Sequence, residues 1–206
     1  MKPWRNAPQM GSGRRRGWVF VLSSPSGGGK TTVITHLLRR LEDLVHSVSL
    51  TTRAPRTGES DGREYHFVSV EEFQRLRRSG KLLEWAKVHG AYYGTPSVPL
   101  KRALAQGKDV VLTIDVQGAR QIRRSLGEAA VLVFLEPPSM AHLRQRLQAR
   151  RTESAQDIRH RMAAAVHEMA CVAWYDYRVV NDRLQEAVNQ LAAIVLAQRC
   201  RVLRDK

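Results

Sequence analysis

Short apolar runs alternate with stretches of helical spacing along most of the chain. Residues 18–22 (Trp-Val-Phe-Val-Leu) are continuously apolar and β-prone, which is typical of a strand buried on both faces. The same pattern predicts strands at residues 110–114, 131–135 and 178–180. Apolar residues three or four positions apart predict helices between and after these strands. These helices cover residues 31–44, 97–105 and 117–126, and a last one carries Leu184, Val188, Leu191 and Val195.

This order of elements predicts an α/β fold. Strands that alternate with helices build a parallel sheet core flanked by helices. Residues 47–69 differ, because short alternating runs surround a turn rich in Pro and Gly, and we interpret them as a small, mostly β insertion. After Pro137 and Pro138 the sequence becomes helical and basic, and we interpret this region as a helical lid. Its apolar positions are Leu143, Leu147, Ile158 and Met162.

The composition fits one domain with a strongly basic surface. The chain has 206 residues, with 34 Lys and Arg against 19 Asp and Glu, for a formal net charge of +15. Such a surface attracts anions, so nucleotides, nucleic acids and acidic membranes are candidate partners. Cys171 and Cys200 lack the spacing of a disulfide framework or a zinc site. No apolar run reaches the roughly 20 residues that span a bilayer, and we expect a soluble, cytoplasmic protein.

A basic arm precedes the first strand. Residues 1–17 carry five Lys and Arg side chains, and the apolar stretch that follows ends at Leu22, before a glycine-rich loop. That stretch predicts a strand rather than a signal peptide. We expect the arm to be a solvated, flexible tail. A specific anion-binding role and a short organellar targeting role are alternatives.

The glycine-rich loop has the pattern and the position of a phosphate-binding P-loop, between a strand and a helix. Its backbone N–H groups can point at phosphate oxygens, its lysine adds a cation, and its first threonine offers a hydroxyl to Mg²⁺. A serine replaces the first glycine of G-x-x-x-x-G-K-[ST], so the turn has to accommodate a side chain. A flexible glycine linker is the alternative. The loop residues are Ser24, Pro25, Ser26, Gly27, Gly28, Gly29, Lys30, Thr31 and Thr32.

Further stretches occur in the order typical of one family. They are residues 47–59 with Tyr65, then residues 83–86, 92–95, 114–118, 137–139 and 180–182. Together they resemble the guanylate kinases, which are P-loop nucleoside monophosphate kinases, over about residues 19–196. The resemblance implies phosphoryl transfer from ATP to GMP, giving ADP and GDP, with the help of Mg²⁺.

The resemblance also implies three regions within residues 18–206. The core would comprise about residues 18–48, 97–138 and 173–206. The GMP-binding region would be about residues 49–96, and the lid about residues 139–172.

Two groups of side chains are implied to bind GMP. Arg53 and Arg56, with the hydroxyls of Tyr65 and Tyr93, are implied to hold the GMP phosphate, because guanidinium groups offer planar forks of donors. Glu59 is implied to orient the arginines. Guanine presents an O6 acceptor beside N1–H and N2 amino donors, so a carboxylate with hydroxyl groups can select it. The family pattern assigns this edge to Ser49, Glu84, Thr95 and Asp115.

Catalysis in this family is implied to be electrostatic. The attacking group is already an anionic phosphate oxygen, so repulsion and alignment are the main obstacles and no general base is required. We expect Asn181, with Asp182 beside it, to contact the adenine of ATP. A solvated basic face is the alternative interpretation of the lid arginines. The residues implied to be catalytic are Lys30, Arg53, Arg146, Arg150 and Arg161.

Two further positions depart from the family pattern. Thr113 stands where most relatives carry an acidic residue, two positions before Asp115, so the ordering of metal-bound water there is in doubt. Ala91 replaces a polar residue before the Tyr92–Tyr93 pair, and we expect that change to be tolerated.

Three alternatives to a GMP kinase follow from the same features. The arginine pocket could serve a non-catalytic, phosphopeptide-binding module of the same fold, although Lys30 and the lid arginines argue against it. The acceptor could be another small phosphate ester. The charge of +15 could indicate a nucleic-acid-binding protein, but no recognition motif supports it. We expect the nucleotides GMP and ATP as partners, with no specific nucleic acid and no membrane; the sequence leaves the oligomeric state open.

Overall fold

The computed structural model of the chain describes residues 17–56, 58–88, 90–149 and 154–202. Within these residues the fold is α/β, which confirms the predicted class. The strands are β1 Val19–Ser23, β2 Leu44–His46, β3 Ser49–Thr51, β4 Tyr65–Phe67, β5 Leu82–Val88, β6 Ala91–Pro96, β7 Asp109–Thr113, β8 Ala130–Glu136 and β9 Tyr177–Val180. The α-helices are α1 Lys30–Arg40, α2 Val70–Arg78, α3 Ser97–Ala105, α4 Val116–Leu126, α5 Met140–Ala149, α6 Ala155–Ala170 and α7 Leu184–Arg199. Short 3-10 helices cover Gly127–Ala129 and Cys171–Trp174.

The strands belong to two sheets. The larger sheet has the strand order β2-β7-β1-β8-β9, and the smaller one has the order β4-β3-β6-β5. In the larger sheet β2 pairs with β7, and β8 with β9, both in parallel. In the smaller sheet β3 pairs in parallel with β4 and antiparallel with β6, which also pairs antiparallel with β5. The smaller sheet corresponds to the predicted β insertion and extends it to Pro96.

The chain divides into two compact units. The first contains the described residues up to Val19 together with Asp43–Ala130, and therefore the whole smaller sheet. In this unit α4 packs against β5, and α3 packs against β7. The largest side chains of its interior are fully buried, with exposures of 0 to 1%. They are Phe73, Leu100, Leu112 and Ile122.

The second unit contains Phe20–Glu42 and the described residues from Val131 onward. Every residue of β1 is buried, as expected of a central strand. Helix α7 packs against α1 and β9, and α5 packs against α6. Helices α5 and α6, which fall in the predicted lid region, enclose a small apolar core of Leu143, Leu147 and Ala165, and this core is lined by Met140, Ile158 and Met162.

The predicted helix at residues 31–44 is too long at its C-terminal end. Helix α1 stops at Arg40, Leu41 is extended (φ −115°, ψ 114°), and Asp43 adopts a left-handed φ of 59°. Leu44 then enters β2, where it lies opposite Asp109 of β7. The apolar side chain at position 44 is thus buried by a sheet and not by a helix, and helical spacing alone does not distinguish the two.

Helix α2 was not predicted, although its first turn carries a local signal. The Ser69 side chain accepts a hydrogen bond from the Glu72 backbone N–H at 3.1 Å, which caps the helix. Phe73 is its one buried residue. Val70, Phe73 and Leu76 lie three positions apart, as on one face of a helix, so the sequence pattern also indicated this helix.

Several expectations concern residues outside the described part of the chain. The basic arm falls there except for Gly17, and so does Arg150. Among the described helices, none combines the length and the apolar character needed to cross a bilayer.

Candidate functional site

The P-loop lies in the second unit and ends in the first turn of α1. Gly29 precedes the helix with a φ of 97°, a left-handed conformation that favours glycine. The Gly28 N–H donates to the Pro25 carbonyl at 2.9 Å, and Lys30 Nζ donates to the Ser24 carbonyl at 2.6 Å. The N–H groups of the first helical turn have no partner within a helix, so this end of α1 suits a phosphate anion.

Ser24 shows how the loop accommodates a serine in place of glycine. Its side chain is buried, with 3% exposure, and its backbone does not adopt a positive φ. A Cβ atom on Gly28 would lie 1.8 Å from Ser24 Oγ. The serine hydroxyl therefore occupies space that is available only because position 28 is a glycine.

Two lid arginines contact the P-loop side of this unit. Arg161 Nη1 donates to Ser26 Oγ in a short hydrogen bond. Arg146 Nη2 donates to the Asn181 carbonyl at 2.9 Å. Leu143 and Leu147 pack closely around the position where Gly27 would carry a Cβ. Helix α5 thus brings an arginine and an apolar face to the same loop.

The P-loop residue that the family resemblance implies as a metal ligand is Thr31. It lies in the first turn of α1 and is exposed. Among the described residues, no group of three or more His, Cys, Asp and Glu side chains could form a metal site of their own. A single hydroxyl fits Mg²⁺ bound to a nucleotide, since this ion keeps waters and takes phosphate oxygens as its main ligands.

In the first unit, Arg53 is the centre of a polar and aromatic cluster. Its Nη1 and Nη2 donate to the two carboxylate oxygens of Glu59 at 2.9 and 3.0 Å. Its Nε donates to Tyr93 Oη at 3.3 Å, and its guanidinium carbon lies 5.4 Å from the Tyr65 ring centre. The Tyr65 and Tyr93 rings meet edge to face at 5.7 Å. The guanidinium is thereby fixed on one edge and one face.

Glu59 also fixes the backbone of Arg56. Its Oε2 accepts from the Arg56 N–H at 2.8 Å. Partial desolvation opposes ionisation, yet the hydrogen bonds from Arg53 and from the Arg56 backbone hold the pKa of Glu59 below its usual value. Glu59 is therefore a carboxylate at neutral pH that connects both arginines, while the Arg56 side chain itself is exposed.

A second cluster in the first unit surrounds Glu84. Glu84 in β5 is 3% exposed and accepts a hydrogen bond from Thr95 Oγ1 of β6 at 2.6 Å. A Cβ on Gly118 of α4 would lie 2.4 Å from Glu84 Oε2. Asp115 caps this helix, since its Oδ1 accepts from the Gly118 N–H at 2.9 Å. The cluster thus places a buried carboxylate at the start of a helix.

Burial changes the ionisation of Glu84. Desolvation raises the pKa of the Glu84 carboxyl to about 7; the hydrogen bond from Thr95 opposes this shift, and the charge of Asp115 adds to it. Glu84 is stable as a buried carboxylate only when hydrogen-bond donors surround it. It is therefore suited to bind a ligand that supplies N–H groups.

The structure distributes the predicted site residues between the P-loop side, the Arg53 cluster and the Glu84 cluster. Lys30, Arg146 and Arg161 share one unit with Asn181, and Arg53, Glu59, Tyr65 and Tyr93 contact one another in the other unit. Glu84, Thr95 and Asp115 form the second cluster of that unit. Ser49 is 6% exposed in β3, opposite Tyr65.

Two contacts near the site had not been predicted. Gln121 Nε2 donates to the Trp85 carbonyl at 2.6 Å, and Trp85 N–H donates to Gln121 Oε1 at 3.3 Å. This pair fixes the backbone next to Glu84, and no local sequence signal indicates it. Gly118 belongs to a family-matched stretch, which could have pointed to its contact with Glu84.

Thr113, which departs from the family pattern, has a partner within its own unit. Thr113 Oγ1 and His46 Nε2 lie 3.0 Å apart across β7 and β2. Burial lowers the pKa of His46. The position therefore carries a hydroxyl paired with a neutral imidazole.

Comparisons with known proteins agree with this arrangement. Residues 16–198 match the family described as Guanylate kinase. A protein named guanylate kinase from Desulfitobacterium hafniense (strain Y51) is 47% identical over 93% of this chain and 95% of its own length. One from Aromatoleum aromaticum is 49% identical over 90% of both chains. The crystal structure of guanylate kinase from Anaplasma phagocytophilum superposes with a TM-score of 0.78 at 36% identity, covering 91% of this chain and 89% of that one.

The matched region takes in both units and all of the clusters described above. The identity to several relatives approaches one half over nine-tenths of the chain. On this basis the chain belongs to the guanylate kinase family.

Proposed function

We propose that this chain transfers the terminal phosphoryl group of ATP to GMP, giving ADP and GDP. The observation that carries the proposal is that one chain holds a P-loop and, in its other unit, a buried Glu84 carboxyl next to an arginine–tyrosine cluster. The relatives named guanylate kinase support the same reaction. We also propose that the reaction belongs to purine nucleotide metabolism, in the recycling of GMP, and takes place in the cytoplasm.

The second unit is the proposed ATP side. The P-loop N–H groups and Lys30 bind the phosphates of ATP, and Thr31 would hold Mg²⁺. The ion neutralises charge on the triphosphate. The hydrogen bonds of Arg146 and Arg161 already bring both side chains toward the P-loop. We propose that they stabilise the charge that develops on the transferred group, and family resemblance adds Arg150.

The Arg53 cluster is the proposed binding site of the GMP phosphate. Arg53 and Arg56 bind the dianion, while the Tyr65 and Tyr93 hydroxyls add neutral donors. Glu59 acts as a positioning residue through both arginines, because it holds the guanidinium of one and the backbone of the other. The Arg53 guanidinium is therefore held in place before GMP binds, which lowers the cost of ordering it on binding.

The Glu84 cluster is the proposed guanine site. Guanine offers N1–H and the N2 amino group, and adenine offers no donor at N1, so a buried carboxylate favours guanine. Thr95, Asp115 and Ser49 form the rest of the proposed guanine site. An adenine ring would add no N1–H donor to the hydrogen bond from Thr95, so the buried Glu84 carboxylate would lack donors that guanine supplies, which is costly.

The reaction itself needs no general base. An oxygen of the GMP phosphate attacks the γ-phosphorus of ATP, and the bond from that phosphorus to the β–γ bridging oxygen breaks, leaving ADP. The protein binds and aligns the two nucleotides, offsets their charges and excludes water. We propose that the lid, about residues 139–172, serves this exclusion, with the core and the GMP-binding region divided as the resemblance implies.

A nucleotide panel tests the proposed substrates. ATP and Mg²⁺ are combined with GMP, dGMP, AMP, UMP or CMP, and the release of ADP is measured. We expect rapid release with GMP, and at least about a hundredfold lower kcat/KM with AMP. A phosphopeptide-binding module or a nucleic-acid-binding protein would release no ADP with any of them. Release that is largest with another acceptor would identify a kinase of a different phosphate ester.

A further inference from the structure

Asn181 lies directly after β9 and is almost entirely buried. Its exposure is 7%, and its backbone N–H donates to the Glu136 carbonyl at 2.8 Å, which continues the pairing of β8 with β9. A buried side-chain amide at the end of a strand has little surface to offer to a nucleotide base. Its polar atoms are expected to have partners within the protein.

The side chain of Asn181 has such a partner in the P-loop. Its Nδ2 donates to the Gly28 carbonyl at 2.8 Å, a buried bond between residues 153 positions apart. Arg146 joins the same group, since its Nη2 donates to the Asn181 carbonyl and its Nη1 lies 3.5 Å from the Gly28 carbonyl. Strand β9 and the lid helix α5 therefore meet at one peptide group of the loop.

The next residue confirms how close this approach is. Gly29 has a φ of +97°, and a Cβ there would lie 2.4 Å from Asn181 Nδ2. Any side chain at position 29 would push the amide away. The loop at this point is shaped to receive Asn181.

We propose that Asn181 is a positioning residue for the triphosphate of ATP, and that it acts by fixing the peptide group between Gly28 and Gly29. In a trans peptide the carbonyl and the following N–H point in opposite directions. Holding the Gly28 carbonyl toward Asn181 therefore turns the Gly29 N–H away from Asn181, and leaves it available to a phosphate. The proposal assigns Asn181 to the phosphates and not to adenine, and it rests on the proposed ATP side.

The test compares a ligand that has a base with one that lacks it. The affinities of the full chain for Mg-ATP, for Mg-tripolyphosphate and for GMP are measured by calorimetry. For Asn181→Ala we expect both triphosphates to bind about tenfold more weakly, as for the loss of one buried hydrogen bond. The affinity for GMP should stay at the parent value, which also shows that the variant is folded.

Asn181→Asp gives an independent test with nearly the same shape. It keeps the oxygen that could accept from the adenine amino group and replaces the Nδ2 donor by a second oxygen facing the Gly28 carbonyl. We expect Asn181→Asp to weaken the binding of both triphosphates at least as much as Asn181→Ala does. The matched control is Asn189→Ala, an exposed asparagine of α7 in the same unit, which should leave all three affinities unchanged.

Several outcomes would overturn the proposal. If Asn181→Ala weakens the binding of ATP but not that of tripolyphosphate, Asn181 contacts the adenine base. If neither ligand is weakened, or if Asn181→Asp binds ATP as the parent does, the contact with Gly28 has no functional role. A parent protein that binds neither triphosphate would instead refute the proposed ATP side itself, and the positioning role with it.

Discussion

At the scale of single residues, the burial of the Glu84 carboxylate costs the most free energy, and Glu84 gives the clearest indication of the ligand. A carboxyl group with 3% exposure is disfavoured in its charged form unless donors surround it. Thr95 supplies donors through its hydroxyl and its backbone N–H. The two N–H groups of guanine would supply the others, so the ligand completes the hydrogen bonding of the site.

The raised pKa of Glu84 predicts a pH dependence of GMP binding. At the proposed guanine site GMP binds the ionised carboxylate, and in the free protein the Glu84 carboxyl stays protonated up to about pH 7. The affinity for GMP should therefore rise with pH to a plateau above 7, and fall by up to about tenfold for each pH unit below it. Calorimetric titrations from pH 5.5 to 8.5 measure this dependence.

The matched variant for this experiment is Glu84→Gln. Its profile retains the titration of the GMP phosphate and lacks that of the carboxyl. Subtracting one profile from the other isolates the contribution of Glu84. Identical profiles for parent and variant would show that the ionisation of Glu84 has no part in binding GMP.

Glu59 predicts a different kind of loss, because it is proposed to act through the arginines. Glu59→Gln removes the charge and one of the two acceptor oxygens that fix Arg53. We expect the KM for GMP to rise about tenfold, as for a lost charge-assisted hydrogen bond, with a smaller change in kcat. Steady-state kinetics with varied GMP measures both constants.

A control for this variant is Glu72→Gln in α2, where an exposed glutamate pairs with Arg75. It should leave both constants at the parent values. If Glu59→Gln changes kcat and leaves KM unaltered, Glu59 does not position the phosphate-binding arginines.

At the scale of secondary-structure elements, the lid depends on a few apolar side chains. Leu143, Leu147 and Ala165 are completely buried between α5 and α6. The same leucines contact the P-loop around Gly27. Packing in this small core therefore determines where the lid helix presents Arg146.

Leu147→Ala tests this packing. Deleting a fully buried leucine side chain leaves a cavity, and we expect the free energy of unfolding to fall by about 2 to 5 kcal/mol. Thermal denaturation measures the change. Leu196→Ala in α7, at a leucine that is 48% exposed, is the matched control and should change it by less than about 0.5 kcal/mol. Equal effects of the two variants would contradict the proposed role of the lid core.

The elements also show which parts of the fold local sequence can predict. Strands β1 and β8 and the P-loop were predicted nearly to their ends, because continuous apolar runs and a glycine-rich turn are local signals. The end of α1 was wrong, because Leu41 and Leu44 keep helical spacing while the backbone between them turns at Asp43. Helix α2 was missed, although the Ser69 cap and the spacing of Val70, Phe73 and Leu76 are local signals for it.

At the scale of the whole molecule, the chain separates two tasks between its compact units. One unit carries the P-loop with Asn181 and the lid arginines, and the other carries the Arg53 and Glu84 clusters. The site residues were named from family resemblance, but their contacts could not be predicted. Asn181 and Gly28 are 153 positions apart, and Gln121 and Trp85 are 36 apart, so only the folded chain brings them together.

The most direct test of the central claim is the rate of GMP-dependent ADP release, measured for the parent protein and for Lys30→Ala with ATP and Mg²⁺ in excess. The account predicts steady release by the parent and a kcat at least about a hundredfold lower for the variant. The variant should still bind GMP with the parent's affinity, because the proposed GMP site lies in the other unit. A parent protein that releases no ADP when GMP is added, or a Lys30→Ala variant that turns over at the parent's rate, would contradict it.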